Sequence, residues 1–464
     1  MIVNNELYGL GFATPISLCI AATVAAIPAI THANEVRTST DIAASTHQLN
    51  ALIESALSQD ASRAQYTAQS LAMTEAGAAS ATLMDPKLKV GFGGLPVDSF
   101  KFDEDPMTNI SVGLMQQFER GSTLELNQRK ASQQASGLSL QVSLREREVA
   151  SQMTQLWLEL GYLQYAESII LENQRLMAEM EQFVTTNYSI GKSEAQDLLN
   201  TQLQVDKLEE KLQLNHQMQS RIVSQFSEWL GSNWLTSNRS LVASYALNWP
   251  ALDKALSSHA DTAQYYDQLN QHPMAQMADS NISVNQIQVE VAEQAYTPQF
   301  GVEVMYAYRQ ANNMMGEPAS DLVSAYLTMD IPLFTGNRQD KNLAAAQYQV
   351  GAAKYQKDTL LAQMNAQVNA LMNDRTNLLE RITRYQERLL PQAIARTQAV
   401  ERGYQNNTAQ FGDVITASSD ELALELEVVR LTTDLNITNS KLAALLGGFE
   451  YKSPKSDAPH SKSE

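Results

Sequence analysis

The chain repeats itself. Tyr188 and Tyr404, Asp197 and Asp413, and Leu230-Gly231 and Leu446-Gly447 each stand 216 residues apart, Gly121 and Gly336 stand 215 apart, and Pro86 and Pro298 stand 212 apart. Landmarks recurring at one long offset mark a duplicated structural unit, so a fold that suits one half has to suit the other. Each half reads in the same order: a helical lead-in, two alternating strands, one very long helix, a tight turn and a second long helix.

The strands are read from a period of two. Leu88, Val90 and Phe92 alternate with Lys87, Lys89 and Gly91, and Ile110, Val112 and Leu114 alternate with Asn109, Ser111 and Gly113. In the second half Phe300, Val302, Val304 and Tyr306 alternate with Gln299, Gly301 and Glu303. Val323, Ala325, Leu327 and Met329 then alternate with Ser324, Tyr326, Thr328 and Asp330. Strands near ten residues with one apolar face suit a barrel wall between lipid and water, although a soluble sandwich or a half-buried hairpin pair gives the same alternation. Four strands do not close a barrel; three chains would bring twelve.

The helices are read from steps of three and four. Leu361, Met364, Val368, Leu371, Leu378, Ile382, Tyr385 and Leu389 form one seam, with Arg375 at its single gap, and Leu198, Thr201, Val205, Leu208, Leu212, Asn215, Gln219, Ile222 and Phe226 form another. Such narrow seams, diluted with Gln, Asn and Thr, predict coiled-coil packing against further helices, including those of other subunits. At about 1.5 Å per residue the longest helices would reach on the order of 100 Å. Pro391 falls inside one of them and predicts a bend or a lost hydrogen bond.

The expected layout has a leader over 1–33 and a first repeat over 34–245, with strands near 87–96 and 108–118 and helices near 124–187 and 193–230. A second repeat covers 246–449, with strands near 298–309 and 321–333 and helices near 337–405 and 412–446, and a polar tail covers 450–464. The apolar stretch 7–30 ends at Thr31-His32-Ala33, a pattern that a signal peptidase cuts, which predicts export; an N-terminal anchor is the rival reading. Cys19, the sole cysteine, lies within it, so the mature chain has no thiol for disulfides, metal ligation or catalysis. The net charge of -18 opposes nucleic-acid binding and fits an acidic passage or simple solubility. Phosphate loops, paired metal-ligand histidines and catalytic triads are not found, so neither catalysis nor a cofactor nor a metal site is predicted. Met274 and Met277 after His272, and the Met314-Met315 pair, read as gap-filling rather than soft-metal ligands.

Four further motifs carry a resemblance: His272-Pro273 opening the second half, Tyr296-Thr297-Pro298-Gln299-Phe300-Gly301 entering a strand, Ile331-Pro332-Leu333-Phe334-Thr335-Gly336 leaving one, and Tyr404 to Asp413 at the helix turn. In this order and twice over, the chain resembles the TolC family of outer-membrane factors, above all its heavy-metal branch working with resistance-nodulation-division pumps. The resemblance implies a mainly α chain with four transmembrane β-strands and a long coiled-coil helical barrel. Three copies would form a 12-stranded β-barrel in outer-membrane lipid and a 12-helix tunnel across the periplasm of a Gram-negative cell. It also implies a periplasmic adaptor (membrane fusion protein) and an inner-membrane pump as partners, and passive conduction of cargo.

By position Asp413 matches a carboxylate of the periplasmic constriction, Asp197 is its counterpart, and Tyr404, with Tyr188 as its own counterpart, resembles a tyrosine that holds the tips closed. The turns carrying Ser189, Ile190, Gly191, Asn406, Asn407 and Thr408 correspond to adaptor contacts. Thr416 stands where a second acidic residue is common and Ala409 where a basic one stands, so the closed-state lock differs in detail. Plain alternatives stay open: Asp197 and Asp413 as helix caps, and the turns as mere chain reversals. For the whole chain the rivals are a drug or type I secretion duct of the same fold, a soluble periplasmic coiled-coil scaffold or adaptor, and an exported helical enzyme.

Overall fold

The computed structural model describes residues 39–237, 241–257, 264–406 and 408–453. The leader with Cys19, Asn407 of the second turn and residues 454–464 of the tail lie outside them. The described chain is mainly helical with one small sheet. It opens with helices α1 (Ser39–Gln59) and α2 (Ala61–Ser80), the second begun by Asp60, whose carboxylate accepts from Arg63 N at 2.6 Å. Strands β1 (Lys87–Gly93) and β2 (Asn109–Gln117) follow, then α3 (Thr123–Ser189) and α4 (Ala195–Ser237). The second half runs through α5 (Pro250–Ser257), α6 (Tyr266–Leu269), α7 (Pro273–Gln294), β3 (Gln299–Tyr308) and β4 (Leu322–Asp330). It ends with α8 (Gln339–Arg384), a π-turn (Tyr385–Leu389), α9 (Leu390–Gln405) and α10 (Phe411–Leu446).

Three departures from the expected layout have local causes. β1 stops at Gly93 rather than running to 96, because Gly94 turns the chain at φ +64. β4 stops at Asp330, since Pro332 has no amide to continue the ladder. The helix through Pro391 stays continuous without a sharp break; the π-turn just ahead of the proline widens one turn and takes up the lost amide bond. The duplicated Leu-Gly pairs share one backbone conformation, which side chains resist: Gly231 (φ 80, ψ 164) kinks α4 near its end, and Gly447 (φ 85, ψ 159) caps the end of α10.

The four strands form one antiparallel meander in the order β1-β2-β3-β4. Register puts Leu88 opposite Leu114, Leu114 opposite Val304 and Val304 opposite Ala325, so the apolar alternation of all four strands falls on one face. The other face carries Lys89, Gly113, Met305 and Ser324 in one row and Lys87, Met115, Glu303 and Tyr326 in the next.

The main core sits where the helices of both halves meet beyond the sheet. Trp157, Leu158 and Leu160 of α3, Ile53 and Leu57 of α1, Phe226 of α4, Leu252, Leu269, Val368 of α8 and Leu442 of α10 pack there. The linker between the halves crosses α3 at Gly161, where a Cβ would stand 2.1 Å from the Ser244 carbonyl carbon. Asn436 of α10 holds that linker, its Oδ1 accepting from Leu247 N at 3.1 Å and from Trp249 Nε1 at 2.9 Å. Towards the far helix ends the core thins to a second cluster of Ile170, Met177, Leu208, Leu212 and Leu422. The seam there is half polar: Asn215 Nδ2 donates to Leu163 O at 3.0 Å, and Gln219 Nε2 donates to Glu167 Oε2 at 2.6 Å.

Candidate functional site

Two regions of the fold are unusual for a water-soluble monomer, and both follow from the repeat. The first is the sheet. Its apolar face is open: Leu88, Val90, Phe92, Val323 and Leu327 are 65–74% exposed, with the Phe102 ring standing edge-on to Phe92 at 6.0 Å between centroids. The opposite, more polar face is tight only towards the middle of the sheet, where a Cβ on Gly301 would meet Thr328 Oγ1 at 2.6 Å and one on Gly113 would meet Met305 Cβ at 3.3 Å, whereas one on Gly91 would meet nothing within 4 Å. On that inner face Lys89 Nζ reaches across β2 to Glu303 Oε2 at 2.7 Å. Tyr306, Tyr308 and Phe92 gather at the loop end of the outer face, as aromatic side chains do at a bilayer interface. The two loops at that end are tied by Arg309, which donates to Pro106 O at 3.2 Å and to Ser320 O.

The second region is the opposite end, where two turns reverse the long helices. Gly191, at φ +76, closes the first turn with Lys192 N bonded to Asn187 O at 2.8 Å; Ser189 Oγ donates to Thr186 O at 2.7 Å, and Ile190 is left exposed. In the second, Thr408 N bonds Gly403 O at 2.8 Å and Asn406 N bonds Arg402 O at 3.1 Å. Tyr404 lies between Phe183 (ring centroids 6.1 Å apart) and Phe411 (5.6 Å), which brings the two turns to one end.

Tyr188 has no part in that cluster and is exposed. The repeat logic paired it with Tyr404 and missed Phe183 and Phe411, whose own positions in the other half are Ala399 and Ala195. Aromatic residues without a counterpart were the available signal. Asp413 forms a capping box: Gln410 N donates to Asp413 Oδ2 at 3.1 Å, while the Gln410 side chain accepts from the backbone of position 413. Asp197 stands in the first turn of α4, and its side chain makes no hydrogen bond among the described residues; its backbone N donates to Glu194 O at 3.1 Å and its carbonyl accepts from Thr201 Oγ1 at 2.7 Å. Capping therefore accounts for Asp413 in a single chain and does not account for Asp197. Nearby, burial and then the Glu421 carboxylate push Glu401 above the usual carboxylate range.

His272 is not placed to bind a metal. It is 4% exposed and caps α7, its Nδ1 accepting from Met274 N at 3.2 Å, and burial with the adjacent Arg147 guanidinium pushes it down to about 4. Met314 and Met315 project fully into solvent from the β3–β4 loop. Among the described residues no helix is long and apolar enough to cross a membrane.

Against known proteins, the family described as outer membrane efflux protein matches residues 264–448. None of the curated proteins matches. The outer membrane protein VceC of Vibrio cholerae is similar in structure at TM-score 0.70, with 15% identity over 87% of this chain and 97% of its own. CusC, described through its transmembrane channel formation, is similar at TM-score 0.70, with 15% identity over 87% and 92%. The CmeC outer membrane channel of Campylobacter jejuni is similar at TM-score 0.67, with 12% identity over 88% and 87%. Residues 264–448 thus match the model of the outer membrane efflux protein family, and the fold of the described chain is similar to that of these solved outer-membrane proteins.

Proposed function

We propose that the chain is one protomer of an outer-membrane efflux channel and supplies a passive exit duct. The observation carrying this reading is the open sheet: an apolar face 65–74% exposed at five positions, on four strands whose two outer edges are unpaired. In water such a face and such edges invite aggregation. In a bilayer the face belongs in lipid, and the edges are satisfied when copies close a barrel, which for three copies has twelve strands. The two repeats, 34–245 and 246–449, then each contribute a strand hairpin to the barrel and a long helical hairpin to a periplasmic tunnel. A periplasmic adaptor contacting the turns at Ser189–Gly191 and Asn406–Thr408, and an inner-membrane pump, deliver the cargo.

Metal cations are the cargo we favour. The net charge of -18 makes the wall repel anions, and carboxylates at 197, 413, 401 and 421 gather near the turns. Drug efflux through the same duct is the alternative; a soluble scaffold is disfavoured by the exposed apolar face. Purified protein should fractionate with outer-membrane detergent extracts as a heat-sensitive trimer and give stepwise conductance in planar bilayers. Asp197→Ala combined with Asp413→Ala should weaken its cation selectivity. A soluble monomer without conductance would overturn the channel, and unchanged selectivity would remove these carboxylates from the constriction.

A further inference from the structure

The loop between β1 and β2, residues 94–108, is folded and yet leaves large apolar side chains in water. Phe100 N donates to Pro96 O at 3.0 Å, and Thr108 closes the loop, its N donating to Asp105 O at 2.9 Å and its Oγ1 to Gly94 O at 2.7 Å. Val97, Phe100 and Met107 are nevertheless 81%, 67% and 67% exposed. Phe100 also stands at φ +52, and every other positive φ among the described residues belongs to a glycine. In that region a Cβ crowds the following carbonyl. A bulky residue held there, in a loop that hardly packs it, argues for a contact outside the chain.

We infer that this loop is a lipid-facing knob: it continues the apolar outer face of the sheet beyond its last row and seats Val97 and Phe100 among the acyl chains of the outer leaflet instead of covering the mouth of the barrel. This rests on the proposed channel and names the partner of a loop that closing a barrel does not require. Continuity with the sheet carries it. The outer face ends at the row Phe92–Ile110–Tyr308, and Phe102 sets its ring edge-on to Phe92, 6.0 Å between centroids and 78° between planes, so the loop runs on from the lipid side of β1. Height supports the same placement. Five rows spaced two residues apart span about 27 Å along a strand and about 19–22 Å along the membrane normal at a tilt of about 35–45°, against an apolar band about 25 Å tall. A further row from the loop supplies part of that difference. The charged residues of the loop, Asp98, Lys101, Asp103 and Glu104, are exposed, and Lys101 Nζ meets Glu104 Oε1 at 2.8 Å, which suits the polar layer above the chains.

A tryptophan placed in the loop reads its surroundings. The native tryptophans, Trp157, Trp229, Trp234 and Trp249, belong to the helical core, so a lipid that quenches only on contact leaves them bright. Phe100→Trp, assembled in phosphatidylcholine vesicles whose acyl chains carry bromine, should lose its added fluorescence relative to unbrominated vesicles, to an extent comparable with Val304→Trp in the middle row of the sheet. Ile190→Trp, at the far helix turn, should lose none. Val97→Trp gives the same reading if Phe100→Trp does not assemble. With Val304→Trp quenched, a loop tryptophan left unquenched would overturn the inference and leave the channel standing; a water-like emission would then put the loop in solvent, and a blue-shifted one would put it against a neighbouring copy. Were Val304→Trp itself unquenched in assembled protein, the lipid face of the sheet would fall, and the channel reading with it.

Discussion

Adjacent residues on β4 separate a membrane wall from a soluble sheet. Ala325 belongs to the middle of the five outward rows, Leu88–Leu114–Val304–Ala325, while Ser324 faces inward opposite Met305. Both side chains are small, so replacing either with arginine removes little packing. In water an exposed Ala325→Arg should change stability by no more than about 0.5 kcal/mol. At the centre of a bilayer the same charge costs about 2–4 kcal/mol, and an inward substitution costs far less. At tenfold per 1.4 kcal/mol the penalty is roughly thirty- to seven-hundred-fold in the folding equilibrium per chain. Urea titration of folding into phospholipid vesicles, read by heat-modifiable migration on gels, measures it. Ala325→Arg should shift the midpoint strongly and Ser324→Arg only slightly. Equal shifts, or no shift from either, would refute the assignment of the outer face to lipid.

Two further predictions concern the helical core. Gly161→Ala should lower the denaturation midpoint: alanine's intrinsic gain of about 1 kcal/mol in a helix is outweighed by about 1–3 kcal/mol or more of overpacking, because the new methyl meets the Ser244 backbone at 2.1 Å. A raised midpoint would mean that the linker does not cross there. His272 is held near 4, whereas histidine in an unfolded chain titrates near 6.5, so as pH falls from 7 towards 4 the unfolded chain takes up a proton that the folded one refuses. Its share of stability is thus greatest above about 6.5 and falls by about 1.4 kcal/mol per pH unit below that. His272→Asn keeps an N-cap acceptor without the titration, so melting at pH 7 and pH 5 should show a loss smaller by roughly 2 kcal/mol in the variant. An unchanged loss would refute the burial of a neutral ring.

What the sequence made legible was whatever depends on period. The strand faces were readable because Leu88, Val90, Phe92 and their counterparts recur at every second position, despite Met115, Met305 and Tyr326 on the polar face, and register then only had to align them. The α4 seam was readable down to Asn215 and Gln219, polar positions whose hydrogen bonds to α3 keep them inside it. The tip was less legible, for a physical reason: duplication fixes the backbone of both halves and leaves each side chain free to diverge. Tyr404 entered an aromatic cluster and Tyr188 did not, although both stand one residue or two before a turn. Asp413 gained a capping partner in Gln410, whereas Asp197 follows a turn with Glu194 in that place and gained none. Backbone symmetry is inherited from the repeat; side-chain roles are decided by neighbours that the repeat does not specify.

The same reasoning explains why the sheet and the helical wall are incomplete at once. Both are single layers with two free edges, β1 and β4 in one and α4 and α9 in the other. A lone layer buries one face of each element at most, so a compact chain would fold it over; here the 67 residues of α3 make the layer too long to fold back on itself without a break. In the proposed channel, repetition around an axis satisfies the edges. A ring closed only through strands would leave the leucines of α4 in water, and one closed only through helices would leave unpaired backbone at the edges of the sheet in lipid. In the proposed channel both sets of edges would meet their partners in the same assembly, so the register of the strand edges and the height of the helix edges would constrain each other.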